Sequence, residues 1–158
     1  MTILMKKNRF NKFVKTYPDY RFVTVTADNI SRVRDFYLKF VQENSSENER
    51  LQAEERIIRR LMDEYTLLGL QGGFISVDGK VVAFAFGERV GDTLYVHFEK
   101  ANRNFDGAYE AINSLFVREF ASGAFYVDRE EDMGDEGLRK AKMAYCPIKT
   151  VDKYEIRY

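Results

Sequence analysis

The chain is 158 residues long, enough for one domain with a real core and without disulfides or a structural metal. Lysine plus arginine balances aspartate plus glutamate at 25 each, so bulk charge offers no drive toward nucleic acid or membrane. One cysteine (Cys146) and one histidine (His97), far apart in sequence, exclude an internal disulfide and argue against a His/Cys zinc site, which fits a reducing, cytoplasmic setting. No apolar run approaches the ~20 residues needed to span a bilayer.

Residues 8–17 place Phe10, Phe13, Val14 and Tyr17 at helical spacing among Lys7, Arg9, Lys12 and Lys15, and Pro18 stops the helix. Residues 1–19 therefore read as a basic amphipathic segment ahead of a single domain at 20–158. Its apolar stripe suits docking, against a companion domain or, without one, against the chain's own sheet or a second copy of the chain. A short strand, RFVTVT, follows at 21–26. A helix is expected from about Asp28 to Gln42, with Ile30, Val33, Tyr37, Phe40 and Val41 inward. A second helix over 50–68 turns Leu51, Ile58, Leu61, Met62, Tyr65 and Leu68 inward and stops near Gly69.

The period then changes to that of strands. Segments 73–77, 80–88 and 93–99 read as three antiparallel strands, the first pair joined by an Asp78-Gly79 turn. VVAFAF is apolar on both faces, so the middle strand should be covered on both sides. Asp106 is expected to cap a helix reaching Phe120. A buried-type strand at 124–128, a short helix at 135–144 and a last strand near 151–157 complete the order.

The chemistry concentrates after the third of these strands. Strict alternation puts Tyr95, His97 and Glu99 on one face of strand 93–99, and Leu94, Val96 and Phe98 on the other. The charged turn Asp128 to Asp132 leaves the neighbouring strand, so its groups should converge with that polar face at the strands' carboxyl ends. His97 is the side-chain type best suited to general base work near neutrality, with Glu99 as orienting partner or alternative base and Glu131 beside them. Lys100, Arg103, Arg129, Arg139 and Lys142 are candidate anion ligands, the last two sharing a helix face. Asn113 should make a polar contact from mid-helix, and Tyr145 could donate to an oxyanion. Each has a plainer alternative: solvated loop charge, helix pairing for Arg139, a core role for Tyr145.

The segments HFEKANRNFDGAYEAIN, DREEDMGDEGLRKAKMAYCP and VDKY, with GLQGGFISVDGKVVAFAFGE before them, resemble the family named for the C-terminal domain of phosphatidylglycerol lysyltransferase. That resemblance, with the element order, implies a GNAT-like acyltransferase fold: a mixed, mostly antiparallel sheet flanked by helices. It implies transfer of an aminoacyl group from the 3′ end of charged tRNA to an amine, hydroxyl or lipid head group. It also places the chain as the second of two tandem GNAT-like halves. Two alternatives stand beside it: an acyl-CoA-dependent N-acetyltransferase, and a non-catalytic binding half. Coenzyme A is weakly supported, because NRNFDGAY has a single glycine and puts Asp106 where a pyrophosphate would sit. No other cofactor and no metal are expected.

Overall fold

The computed structural model describes residues 3–44, 49–152 and 154, with side chains over 7–44 and from 54 onward. The order is α1 (Ile3–Thr16), β1 (Arg21–Thr24), α2 (Ile30–Asn44), α3 (Glu49–Asp63), α4 (Tyr65–Leu68), β2 (Gln71–Val77), β3 (Lys80–Val90), β4 (Thr93–Ala101), α5 (Ala108–Phe120), β5 (Tyr126–Asp128) and α6 (Glu136–Met143). One five-stranded sheet runs β1-β2-β3-β4-β5 in sequence order. The first three pairings are antiparallel and β4–β5 is parallel.

Two apolar layers hold the sheet. Ile75, Ala83, Ala85, Leu94 and Val96 face α5 and α1, whereas Phe74, Phe84 and Phe86 face α2 and α3. The doubly apolar VVAFAF run thus packs a helix layer against each face, as a strand without a polar side must. Its small alanines meet Ala108, Ala111 and Ile112 of α5. Its phenylalanines meet Tyr37 edge-on, with ring centroids 5.9 Å apart for the Phe84 pair.

Several expectations need correction. The stripe of α1 belongs to the core: Phe13 is fully buried with its ring 5.0 Å from Tyr17 and 5.7 Å from Tyr20, and Phe10 packs on the same layer. α1 lies along α5 and is one of its covering elements, so of the expected places for the stripe it is the chain's own fold that takes it, as part of the core. The 50–68 helix is broken at Glu64, and Leu68 on the short α4 is exposed rather than inward. Leu51 lies outside the described side chains. Asp106 does not cap α5: the N-cap is Gly107 at φ +83°, with no side-chain cap, and Asp106 turns to Lys12 at 2.7 Å and Arg9 at 3.3 Å. Strand β5 is not buried, since Phe125, Tyr126 and Val127 all stand exposed. Of the expected strand at 151–157, Val151 and Asp152 are not in a strand, and most of the rest lies outside the described residues.

Phe13→Ala should cost about 3–5 kcal/mol, the range for truncating a buried aromatic. Leu67→Ala, on the exposed side of α4, should stay within about 0.5 kcal/mol. Urea unfolding followed by circular dichroism reads both; equal small effects would mean that α1 contributes nothing to the core.

Candidate functional site

The site is organised by an irregularity in β4. Phe86 pairs with Phe98, yet the next residue of β3, Gly87, pairs with Val96, so β4 carries one extra residue around His97. Such a bulge puts two consecutive side chains on one side and inverts the alternation beyond it. Leu94 and Val96 accordingly face α5, Phe98 joins the α2–α3 layer, and Ala101 returns to the α5 layer. Gly87 permits the close approach, because a Cβ there would meet the Tyr95 carbonyl oxygen at 2.1 Å. His97 and Glu99 therefore lie on opposite faces, correcting the strict alternation expected from sequence.

On the α5 face, Glu99 is nearly buried. Its Oε2 accepts from Asn113 Nδ2 at 2.9 Å and its Oε1 accepts from Arg129 Nη2 at 3.0 Å. Asn113 is itself buried within α5, which explains a polar residue in mid-helix. The Arg129 guanidinium lies over the Tyr145 ring, 4.4 Å from its centroid. Its Nε and Nη1 are buried and have no hydrogen-bond partner among the described residues. Burial pushes the Tyr145 hydroxyl above its ordinary range, against the pull of Arg129.

On the other face, His97 sits between two carboxylates. Nε2 is 3.1 Å from Glu88 Oε1, and Nδ1 makes a short contact with Glu130 Oε1. A neutral ring carries one N–H, so two such bonds need a proton on each ring nitrogen or one on a carboxyl. Glu88 also lines an open polar cleft with Gln71, Arg89, Glu119 and Ser122. Tyr95 stacks near the His97 ring, 6.5 Å between centroids and 14° between planes.

The turn after β5 connects the two faces. Pairing of β4 with β5 ends at Tyr95 and Asp128, and the strands part beyond it. Into that gap Arg129 reaches Glu99 while Glu130, at φ +54°, reaches His97. Asp128 accepts from the Glu130 N–H at 2.6 Å, and Asp135 caps α6 by accepting from Leu138 N–H at 2.8 Å.

The remaining sequence candidates are held by neighbours. Lys100 pairs with Glu54 of α3 at 2.8 Å, and Arg103 is exposed on the loop after β4. Arg139 pairs with Asp132 at 2.5 Å rather than with Glu136. Lys142 donates to the backbone carbonyls of Arg129, Glu130 and Glu131, at 3.1 Å and 2.6 Å for the latter two. Burial and then the Arg129 charge push the Lys142 ammonium below the usual lysine range, while Glu130, Asp132 and Glu99 oppose them. Arg139 and Lys142 thus brace the 129–132 turn instead of forming an open phosphate clamp. The Glu131 side chain stands exposed, and that residue joins the site through its carbonyl. Glu88 and Glu54 were not singled out from sequence, whereas Glu130 was expected only as one of the converging charges of the 128–132 turn; Glu88, following the apolar run and Gly87, had a visible signal of its own.

The amino-terminal turn of α5 is where a pyrophosphate would sit on helix N–H groups. Asp106 and Glu110 flank it, and α1 lies against it: a Cβ at Gly107 would meet the Arg9 carbonyl oxygen at 2.5 Å. Arg9 is 3.4 Å from Glu110, and the Lys12 hydrogen bond holds the Asp106 carboxyl below its ordinary range. Among the described residues no group of three His, Cys, Asp or Glu side chains is arranged to hold a metal ion. No described helix is long and apolar enough to cross a membrane.

Two measurements check this geometry. Arg129→Met should destabilise by about 1–3 kcal/mol, because it leaves the Glu99 carboxylate partly unsatisfied in a nearly buried place. A cycle with Glu99→Gln should show coupling of about 0.5–3 kcal/mol; strict additivity would mean the pair is not formed. The Arg139 hydrogen bond, then that from the Gly134 N–H, lowers the Asp132 carboxyl from 3.8 to about 2. Its folded value lies below its unfolded one, so the stability it adds is present above pH 3.8 and fades as pH falls to about 2. The stability difference between the wild type and Asp132→Asn should therefore shrink across that window, and a pH-independent difference would contradict the pairing.

Comparison with known proteins puts this site in context. The protein MYCGA3080 of Mycoplasmoides gallisepticum is 21% identical over 155 residues, 96% of this chain and 49% of that one. A crystal structure of a conserved protein of unknown function from Bacteroides thetaiotaomicron is 39% identical with a TM-score of 0.88, over 92% of this chain and 50% of that one. The chain thus spans about half the length of these relatives. The ribosomal-protein-alanine N-acetyltransferase of Brucella melitensis biovar Abortus superposes with a TM-score of 0.61 at 12% identity, over 88% of this chain and 99% of that one, which establishes the GNAT fold. The family model described as phosphatidylglycerol lysyltransferase, C-terminal, matches residues 3–157, and the chain belongs to that family as an acyltransferase-like domain.

Proposed function

We propose that this domain transfers an aminoacyl group from the 3′ end of a charged tRNA to an amine or hydroxyl acceptor, in a cytoplasmic setting. The observation that carries this reading is the covered amino-terminal turn of α5. α1 lies against that turn, and its Arg9 and Lys12 are already engaged by Asp106 and Glu110 rather than open to an anion, which supports a donor other than coenzyme A. The gap between β4 and β5, in contrast, brings together an imidazole, several carboxylates and a guanidinium.

In this reading His97 is the general base. Glu130 orients the ring through Nδ1, and the half-exposed Glu88 carboxylate swings aside to let the acceptor reach Nε2. The acceptor nitrogen or oxygen bonds to the ester carbonyl carbon as its proton passes to His97. The carbon–oxygen ester bond then breaks, and the departing ribose oxygen of the tRNA takes up a proton. The Arg129 guanidinium, with two N–H groups unpartnered among the described residues, is suited to negative charge developing at the β4–β5 gap. Glu99 and Asn113 hold that guanidinium in place.

The test is transfer of a labelled aminoacyl group from charged tRNA to a small amine, beside the same assay with acetyl-CoA. Transfer from the tRNA is expected, with a loss of about 10²–10⁴-fold in His97→Ala. Transfer undiminished in the His97→Ala, Glu99→Ala double variant would remove the base assignment. Transfer from acetyl-CoA instead would overturn the donor. Charged tRNA bound but not consumed would favour a binding half whose chemistry lies in a companion domain.

A further inference from the structure

Lys142 lies outside the acid–base groups of that mechanism, yet its surroundings are highly specific. Its ammonium donates to three consecutive backbone carbonyls, those of Arg129, Glu130 and Glu131. An ammonium has three protons and no acceptor, so three carbonyls satisfy it completely. In a strand consecutive carbonyls point to alternating sides, so their convergence on one point directly after β5 marks a sharp departure from strand geometry. Convergence here requires the turn that leaves Glu130 at φ +54°, a region sparsely populated by residues other than glycine. Three carbonyl dipoles aimed at one centre repel one another unless a cation occupies it.

We propose that Lys142 is a positioning residue whose ammonium gathers the 129–131 carbonyls and so directs Arg129 and Glu130 to opposite faces of β4. Without that cation the turn relaxes, Glu130 leaves the left-handed region, and the His97 imidazole loses its Nδ1 partner. The Arg129–Glu99 pair, formed by the preceding residue of the same turn, loosens with it. Asp132 and Arg139, paired at 2.5 Å, brace the far side of the turn and keep α6 attached when Lys142 is replaced. The inference rests on the site described under Proposed function, and it extends that site to a residue of α6 that touches no substrate.

His97 is the sole histidine of the chain, so one set of imidazole NMR signals reports its contacts without assignment ambiguity. Spectra of the whole chain are compared for the wild type, Glu130→Gln and Lys142→Met. Both variants are expected to shift the imidazole signals, and to nearly the same position, with the methyl signals of the core unmoved. Lys142→Met signals at the wild-type position, with Glu130→Gln shifted, would overturn the positioning role while leaving the His97–Glu130 contact intact. Glu130→Gln signals at the wild-type position would remove the contact itself, and with it both this inference and the orientation of the proposed base. If Lys142→Met does not fold, the wild-type ammonium decides. Caged by three carbonyls, it should give a slowly exchanging 15N–1H signal near neutral pH with cross-peaks to Glu130; loss of that signal to fast exchange would overturn the proposal.

Discussion

The extra residue of β4 at His97 is the constraint on which the rest of the site depends. A regular ladder would have put His97 and Glu99 side by side, leaving one face of the strand polar and the other apolar. The bulge instead gives each face one ionisable group. Arg129 and Glu130, adjacent in the turn, can then engage both faces at once. Gly87 makes this possible from across the ladder, since any side chain there would strike the Tyr95 carbonyl. The geometry of a site made from four ionisable side chains thus traces to one position without a Cβ on a neighbouring strand.

The two apolar layers fix where that bulge can act. α5 is clamped between the sheet and α1, and its buried Asn113 reaches Glu99 only because Ala108, Ala111 and Ile112 seat the helix closely on small residues of β3. On the far side, Lys100 is drawn to Glu54 of α3 and lies 5.9 Å from the Phe40 ring. The carboxyl end of β4 is therefore tied to both helix layers. The parting of β4 from β5 follows from this: β4 is held by the body of the fold, while β5 keeps three backbone pairs and the contacts of its own turn.

Much of the fold was legible in the sequence, and the failures have physical causes. Long periodic segments such as 30–44 and 108–120 declared themselves because one face of each is apolar at helical spacing. The Asp78-Gly79 turn was plain from its residues, both of which take positive φ. The bulge was not legible, because periodicity assumes a regular ladder and Gly87 alone does not reveal an extra residue in the strand opposite. Asp106 was misread since its shape suits a cap, and tertiary pairing with Lys12 outweighed that local preference. Phe125, Tyr126 and Val127 looked like a buried strand from their side chains, whereas burial depends on whether another element covers them. The candidate cations were found by type, but their partners are carboxylates and carbonyls that come together only in three dimensions.

The thin attachment of β5 separates the survival of the site from the survival of the fold. Few buried apolar groups anchor residues 126–145: Ala144 is buried, whereas Met133 and Met143 are exposed. Segments of that kind open on their own at a fraction of the free energy of global unfolding. A population of molecules can therefore retain both helix layers and four strands while Arg129 and Glu130 have left β4. Such molecules would melt at an ordinary temperature and still lack the Arg129–Glu99 and Glu130–His97 contacts. Whatever binds across the β4–β5 gap would draw the open fraction back, so occupancy and local order in this protein are one equilibrium.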